Sequence, residues 1–309
     1  MQANLKKIIF IFLCLVLSLL YFVFKQWPDQ YTHIVFCDVG QGDAILLYHG
    51  FWQMLIDGGP NDQVLSCLDN YMPFWDRTIE LVVATHADQD HIAGLTDVLK
   101  NYQVKFLFLN DFRDTEEFSS FKEAVLNELA LGLDLKKPIL GEKILLPHGL
   151  ELTVLLAEEQ KITNFLSPNK NLSELYLSDN LDEDADLAID HNNGSIVLLL
   201  EIDEIKALFT GDIETSAEQA LIARGLVSKT NILKVGHHGS KTSSSEKFLK
   251  LVSPEISVIS CGKFNKFGHP SSETLAKLRK LKTKILRTDQ LGDIELLTDG
   301  QKIYLADLE

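Results

Sequence analysis

Positive charge is scarce in this chain: 29 lysines and arginines stand against 44 aspartates and glutamates among 309 residues, a net charge of −15 at pH 7. That balance is the wrong sign for broad, sequence-blind adhesion to nucleic acid, which rests on Lys and Arg neutralising phosphates, and it weakens a nucleic-acid reading without excluding it. Phosphodiester chemistry stays open where bound cations supply positive charge locally. Cysteine is scarce as well. Cys14, Cys37, Cys67 and Cys261 show neither CxxC nor zinc-ribbon spacing, so no patterned disulfide framework is expected. Buried free thiols are the expectation for the three outside the N-terminal segment. No repeat at a fixed short period is visible, so a solenoid is not indicated. What is present is ordinary for a globular core: 46% hydrophobic and 24% charged residues.

One long apolar run exists, from Ile8 to Phe24, preceded by Lys6 and Lys7 and closed by Lys25. As a helix it spans about 25 Å, within the range that crosses a bilayer. A cleaved signal peptide shares this pattern. Against it, the run exceeds a usual signal core, and Lys25-Gln26-Trp27-Pro28 offers no small-x-small cleavage site. Cys14 follows Phe12-Leu13 without the small residue of a lipoprotein box. Residues 1–27 are therefore expected to be a retained single-pass anchor, with Trp27 and Tyr31 at the interface. The basic start favours an extracytoplasmic body at the cell membrane, a bias that Lys25 weakens.

Residues 30–309 read as alternating strands and helices. Strands are expected at 33–38, 44–48, 53–56, 80–84, 104–109, 195–201, 206–210, 232–235 and 256–260, with two more closing the chain. Helices are expected at 64–71, 92–102 (capped by Asp90), 119–131, 216–224 and 272–280. Near 158–193 the pattern dissolves into an acidic, flexible insertion with Asp182, Glu183, Asp184 and Asp186 close together. The rest reads as two β-rich halves with helices outside.

Chemistry concentrates in Thr85-His86-Ala87-Asp88-Gln89-Asp90-His91, which packs two imidazoles and two carboxylates directly after an apolar strand. A strand-end loop can aim alternate side chains at one point. His nitrogen with carboxylate oxygen suits Zn²⁺ or Mn²⁺, and a pair of divalent metal ions needs this many ligands. Asp57, Asp212 and His237 each end an apolar strand in the same manner. Strand ends along one sheet edge give a site rigid support.

Together these segments resemble the metallo-β-lactamase superfamily, and within it the hydrolase-like domain of the ComEC/Rec2 competence proteins. The resemblance is carried by Asp38-Val39-Gly40-Gln41-Gly42-Asp43-Ala44, Ile56-Asp57-Gly58-Gly59, the 86–91 cluster, Leu208-Phe209-Thr210-Gly211-Asp212, Lys234-Val235-Gly236-His237-His238-Gly239-Ser240 and Gly268-His269-Pro270-Ser271. It implies an α/β fold, a four-layer αβ/βα sandwich with the metals at one edge of two sheets. By the same resemblance His86 and Asp88 would serve one metal, Asp90 and His91 the second. Asp212 would bridge the pair and His237 would complete the second. Asp90, His238 and His269 are the candidates for direct participation, the two histidines by binding phosphate or protonating a leaving group. Lys234 could face the substrate, but a stabilising surface lysine is the preferred expectation. The superfamily usually has His where Asp88 stands; Asp makes the site richer in oxygen and favours manganese relative to zinc. His191, in His191-Asn192-Asn193-Gly194-Ser195, matches the spacing of a further superfamily ligand.

The implied activity is phosphodiester hydrolysis by a metal-activated hydroxide, in a nuclease linked to DNA uptake with single-stranded DNA as substrate. Two alternatives stay open: a phosphodiesterase or esterase acting on cell-envelope material such as phosphocholine-decorated polymers, and a non-catalytic scaffold of a membrane complex. One hydrophobic segment forms no conducting pore, so transport would require a separate membrane channel partner.

Overall fold

The computed structural model describes residues 2–110, 118–157 and 191–306. Most of the acidic insertion, from 158 to 190, lies outside the described residues. Helix α1 (Gln2–Lys25) contains a stretch, Leu5–Lys25, long and apolar enough to cross a membrane, and none of that stretch is buried against the body.

Two sheets face each other. The first has strand order β15-β14-β1-β2-β3-β4-β5-β6, with β1 (Thr32–Phe36), β2 (Ile45–His49), β3 (Trp52–Ile56), β4 (Thr78–Ala84), β5 (Gln103–Leu109), β6 (Asp134–Lys136), β14 (Ile294–Thr298) and β15 (Ile303–Leu305). The second runs β13-β12-β11-β10-β9-β8-β7, with β7 (Lys143–Leu145), β8 (Glu151–Leu156), β9 (Val197–Ile202), β10 (Ile205–Phe209), β11 (Ile232–Lys234), β12 (Ile256–Ile259) and β13 (Lys284–Arg287). The period of two along each strand builds the layers. In β1, Ile34 and Phe36 enter the core between the sheets, while Val35 points to the helices on the outer face.

Outside the first sheet lie α2 (Gln63–Tyr71), α3 (Gln89–Asn101) and α4 (Ser119–Leu131). Outside the second lie α5 (Thr215–Ala223), α6 (Glu246–Val252) and α7 (Ser272–Leu281). The fold is thus a four-layer α/β sandwich with one N-terminal apolar helix.

Most expected elements match within one to three residues. The differences have physical causes. Helix α3 begins at Gln89, so Asp88 takes the N-cap position without a side-chain cap bond and Asp90 falls in the first turn. Three strands, not two, follow α7, and the three-residue strands β6 and β7 lie at sheet edges with largely exposed residues, too short and too polar to stand out; β8 is an additional, mostly buried strand. The expectation of free thiols fails for one pair: Cys37 and Cys67 form a disulfide tying the end of β1 to α2, with Cα atoms 5.9 Å apart. Cys261 is a buried free thiol.

Two features orient the sandwich. The end of α1 meets the body where β3 and β4 begin: Gln26 Oε1 accepts from Phe74 N at 3.2 Å, and Trp27 lies edge-on to Phe51 at 5.5 Å. At the opposite end, where β3, β4, β10, β11 and β12 finish, lie Asp57, the 86–91 cluster, Asp212, the two adjacent histidines and the loop 260–271. Helix α3 reaches that end by packing its backbone on the Asp57-Gly58-Gly59 turn. A Cβ on Gly94 would sit 2.0 Å from Gly58 O, so only glycine permits the approach.

Candidate metal centre

Four side chains converge at this edge. Asp90, His91, Asp212 and His238 each offer one ligand atom, all within 4.8 Å of one another. His91 Nε2 is 3.4 Å from Asp212 Oδ2, and His238 Nε2 is 3.2 Å from Asp90 Oδ2 and 3.3 Å from Asp212 Oδ2. Beside them His86 Nε2 lies 3.4 Å from Asp88 Oδ2, with the His86 and His91 rings 4.1 Å apart.

Hydrogen bonds on the far side of each ring determine which nitrogen faces the centre. His91 Nδ1–H donates to Asp57 Oδ2 at 2.8 Å. His238 Nδ1–H donates to the Ser260 carbonyl at 3.0 Å. Thr85 spends its hydroxyl hydrogen on Asp57 Oδ2 (2.7 Å), so its lone pair accepts from His86 Nδ1 (3.0 Å). Ser195 donates to Asn192 O and leaves a second acceptor 3.4 Å from the same nitrogen. All three imidazoles therefore turn Nε2 inward, that of His238 toward Asp90 Oδ2 at 3.2 Å. Those of His86 and His91, with Asp212 Oδ1, are buried and lack a hydrogen-bond partner among the described residues. Buried polar atoms are seldom left so unless something absent from the protein itself completes them.

The electrostatics agree. Asp43, Asp57 and Asp212 are buried, Asp90 is partly so, and Lys234 is the ammonium set among them. Burial alone pushes Asp43 and Asp212 upward; Lys234 and His238, with His91, overcome it and hold both below the ordinary carboxylate value. Asp90 is likewise lowered despite burial, by His238 and His91. Burial depresses His238, but Asp212 and Asp43 outweigh it and lift the imidazole to about 9. His91 is raised well above its usual value by Asp212 and Asp57 against the same burial. A cluster that draws protons onto its histidines carries surplus negative charge, and a divalent cation discharges that surplus. Donor set, orphaned nitrogens and charge all fit bound metal. A second group of acids and imidazole, Asp43, Asp57 and His91, also falls within ligating range of itself. There, however, the His91 Nδ1–H and the Lys234 ammonium already fill the space.

The resemblance gives His237 as a ligand of the second metal; in the structure the adjacent His238 holds the central position. His237 Nδ1 is bonded to Glu214 Oε1 at 3.0 Å, and its Nε2 stands 4.0 Å from Asp212 Oδ2, on the open side. Both histidines adopt left-handed backbone, φ 47° and 51°, as does Asp57 at 58°. Such residues cost about 1–3 kcal/mol each and gather where a site needs them. His269 lies at the mouth, its ring 5.6 Å from that of His237. Burial and the neighbouring His237 and His238 lower it. His191 opens a short 3-10 turn (His191–Gly194), and its side chain lies outside the described residues. Lys234 corrects the sequence reading outright. It is no surface lysine but wholly buried, in contact with Asp43 and 3.8 Å from Asp212 Oδ1. Its position at a strand end had suggested exposure. Asp43 was present in the motif but given no role.

Known proteins are similar in sequence and in fold. ComE operon protein 3 of Bacillus subtilis is 28% identical over 306 residues, covering 92% of this chain and 35% of that protein. Recombination protein 2 of Haemophilus influenzae is 28% identical over 279 residues, covering 89% and 30%. Competence protein ComA of Neisseria gonorrhoeae is 40% identical over 108 residues, 35% of this chain and 16% of that one. The chain thus spans 35% or less of the length of these relatives. Among solved structures, the metallo-beta-lactamase fold protein YhfI from Bacillus subtilis superposes with a TM-score of 0.52 at 9% identity, covering 89% of this chain and all of that one. The CmlA beta-hydroxylase gives the same score at 12% identity over 88% and 55%. At these identities both show the shared fold alone. The sequence profile of the metallo-beta-lactamase superfamily matches residues 109–263, half of the chain and the part that carries Asp212, His237 and His238, and with it this chain belongs to the metallo-β-lactamase superfamily.

Proposed function

We propose that the chain is a metal-dependent phosphodiester hydrolase that cuts single-stranded DNA during DNA uptake. The observation that carries the hydrolase reading is the convergence of Asp90, His91, Asp212 and His238 beside His86, with the inward Nε2 atoms of His86 and His91 partnerless among the described residues. A scaffold has no use for so many mutually repelling carboxylates. The link to DNA uptake rests on relatives named for competence and recombination.

Asp90, His91 and His238 would hold one divalent ion, His86 and Asp88 the other, with Asp212 shared. The oxygen-rich set favours Mn²⁺ over Zn²⁺. Such ions acidify a water and neutralise charge on a phosphoryl group. The protein's own contribution is positional. His238, fixed through Nδ1 by the Ser260 carbonyl, keeps its Nε2 turned toward Asp90 and Asp212. His269, its ring 5.6 Å from that of His237, is placed beside the centre where it would donate a hydrogen bond to a phosphate oxygen.

Helix α1 is the anchor in this reading, with the body outside the cytoplasm. The Cys37–Cys67 disulfide supports that side, since such bonds persist in oxidising compartments. One spanning helix lines no pore, so a separate channel protein would conduct the strand.

The test uses the full chain in detergent micelles, loaded with Mn²⁺ or Zn²⁺, against labelled single-stranded DNA and bis-p-nitrophenyl phosphate. Metal-dependent cleavage of both, abolished by Asp90→Ala with His91→Ala, is the expected result. Cleavage of the small ester alone would redirect the reading to an envelope phosphodiesterase. No cleavage and no retained metal would leave the scaffold.

A further inference from the structure

The loop that follows β12 carries a short pattern that the metal centre does not use: Lys263-Phe264-Asn265-Lys266-Phe267-Gly268, a lysine–phenylalanine pair repeated after three residues. Phe264 is 91% exposed and Phe267 59%. Leaving such a side chain in water forgoes about 1.5–3 kcal/mol of burial, so two in one short loop call for an occupant.

The loop is not slack. Asn265 holds it from within: its Nδ2 donates to Gly262 O at 2.8 Å and to His269 O at 2.7 Å, and its Oδ1 accepts from His269 N at 3.0 Å. Gly262 lies against the Gly40-Gln41-Gly42 turn, donating to Gln41 Oε1 at 3.2 Å; a Cβ there would come 2.8 Å from Gln41 N. The two phenylalanines are thus presented on a fixed frame.

Their placement is directional. The Phe267 ring lies nearly parallel to that of His269, 13° and 6.0 Å between centroids. His269 is 5.6 Å from the His237 ring, and His237 Nε2 is 4.0 Å from Asp212 Oδ2. A file of rings runs from the centre outward to this loop. Each outer ring carries an ammonium: Lys263 Nζ is 5.8 Å from the Phe264 centroid, and Lys266 Nζ is 5.6 Å from that of Phe267. In a chain of net charge −15, positive charge paired with bare aromatic faces at the mouth of the cleft is complementary to one class of polymer. It must offer an anion and a flat ring in each unit.

We propose that Phe264 and Phe267 are a stacking platform for successive bases of a single-stranded nucleic acid, with Lys263 and Lys266 meeting its phosphates. Stacking needs an uncovered base face, so the platform selects single strands over duplex. The bilayer is not the occupant, because the loop stands at the end of the sandwich opposite the exit of α1. This proposal rests on the nuclease reading above and gives that site its substrate contact.

The test is fluorescence anisotropy with the full chain in micelles, carrying Asp90→Asn so that the strand is not cut. The probes are a labelled oligothymidylate and an abasic strand with the same number of phosphates. Phe264→Ala with Phe267→Ala is expected to weaken oligothymidylate about 10-fold or more, from base–aromatic stacking, and to leave the abasic strand unchanged. Phe264→Trp with Phe267→Trp retains binding and shows indole quenching on stacking. Lys263→Gln with Lys266→Gln weakens both strands and flattens the log–log salt dependence by about 1.4. The platform is refuted if the alanine pair weakens both strands alike, or neither. Should the wild-type protein cut DNA while the alanine pair binds it normally, the platform alone falls. A wild-type protein that neither binds nor cuts it overturns both readings.

Discussion

Asp57 is the residue through which the centre can be disturbed without touching a proposed ligand. Three donors converge on its carboxylate: Thr85 N at 2.8 Å, Thr85 Oγ1 at 2.7 Å and His91 Nδ1 at 2.8 Å. In Asp57→Asn, the amide oxygen keeps the bond to Thr85 N, but the amide nitrogen presents hydrogens to groups that also donate. His91 must then accept at Nδ1, moving its proton to Nε2. Thr85 must accept as well, turning its own hydrogen onto His86 Nδ1 and moving the His86 proton to Nε2. Both inward lone pairs are lost through one atom exchange. Partners of this kind are worth 10–100-fold in metal affinity, about 1.4–2.7 kcal/mol. The check is calorimetric titration of Mn²⁺ or Zn²⁺ into wild type and variant, with long-range ¹H–¹⁵N spectra to read the tautomers. Thr85→Val should move the His86 tautomer and spare His91. Unchanged affinity in Asp57→Asn, with His91 still protonated at Nδ1, would refute the relay.

Lys234→Met removes the ammonium beside buried Asp43 and should cost about 3–5 kcal/mol in urea unfolding; a loss under about 1 kcal/mol would mean the pair behaves as a surface one. His33 is pushed down by burial, but its bonds to Glu295 (2.7 Å) and Asp29 (2.9 Å) leave it raised above 6.5. A raised folded-state value means stabilisation present in full below about pH 6.5 and lost as pH climbs through the folded value. The wild-type advantage in melting temperature over His33→Gln should shrink across that rise, and a constant difference would contradict the assignment. Replacing Cys37 and Cys67 by alanine opens a loop with a sequence separation of 30. The expected loss is about 3–4 kcal/mol, read from unfolding midpoints with and without reductant; equal midpoints would show that the bond does not form.

The 86–91 cluster was legible because four ligand-type residues crowd into one strand-to-helix turn, where local geometry nearly suffices. The choice between His237 and His238 was not, since neighbouring residues point apart and only their left-handed backbone decides which ring turns inward. The disulfide escaped because Cys37 and Cys67 meet through the packing of α2 on the first sheet, a contact no spacing encodes. Lys234 looked solvated because lysine at a strand end usually is; its burial depends on Asp43, which arrives from the opposite sheet. The repeat at 263–268 shows in the sequence as basic and aromatic residues interleaved, but that Phe264 and Phe267 stand exposed depends on the frame Asn265 builds.

The position of α1 sets a height. Its last residues touch the body where β4 begins, and Thr85 stands where β4 ends; seven residues of strand measure about 23 Å. With α1 seated in a bilayer, the sandwich acts as a pedestal. If β4 stands along the bilayer normal, the cleft would be carried some 20 Å clear of the lipid surface, beyond the reach of Asp90 or His91 to the headgroups. Seated so, the centre would be open to a molecule long enough to extend across that gap.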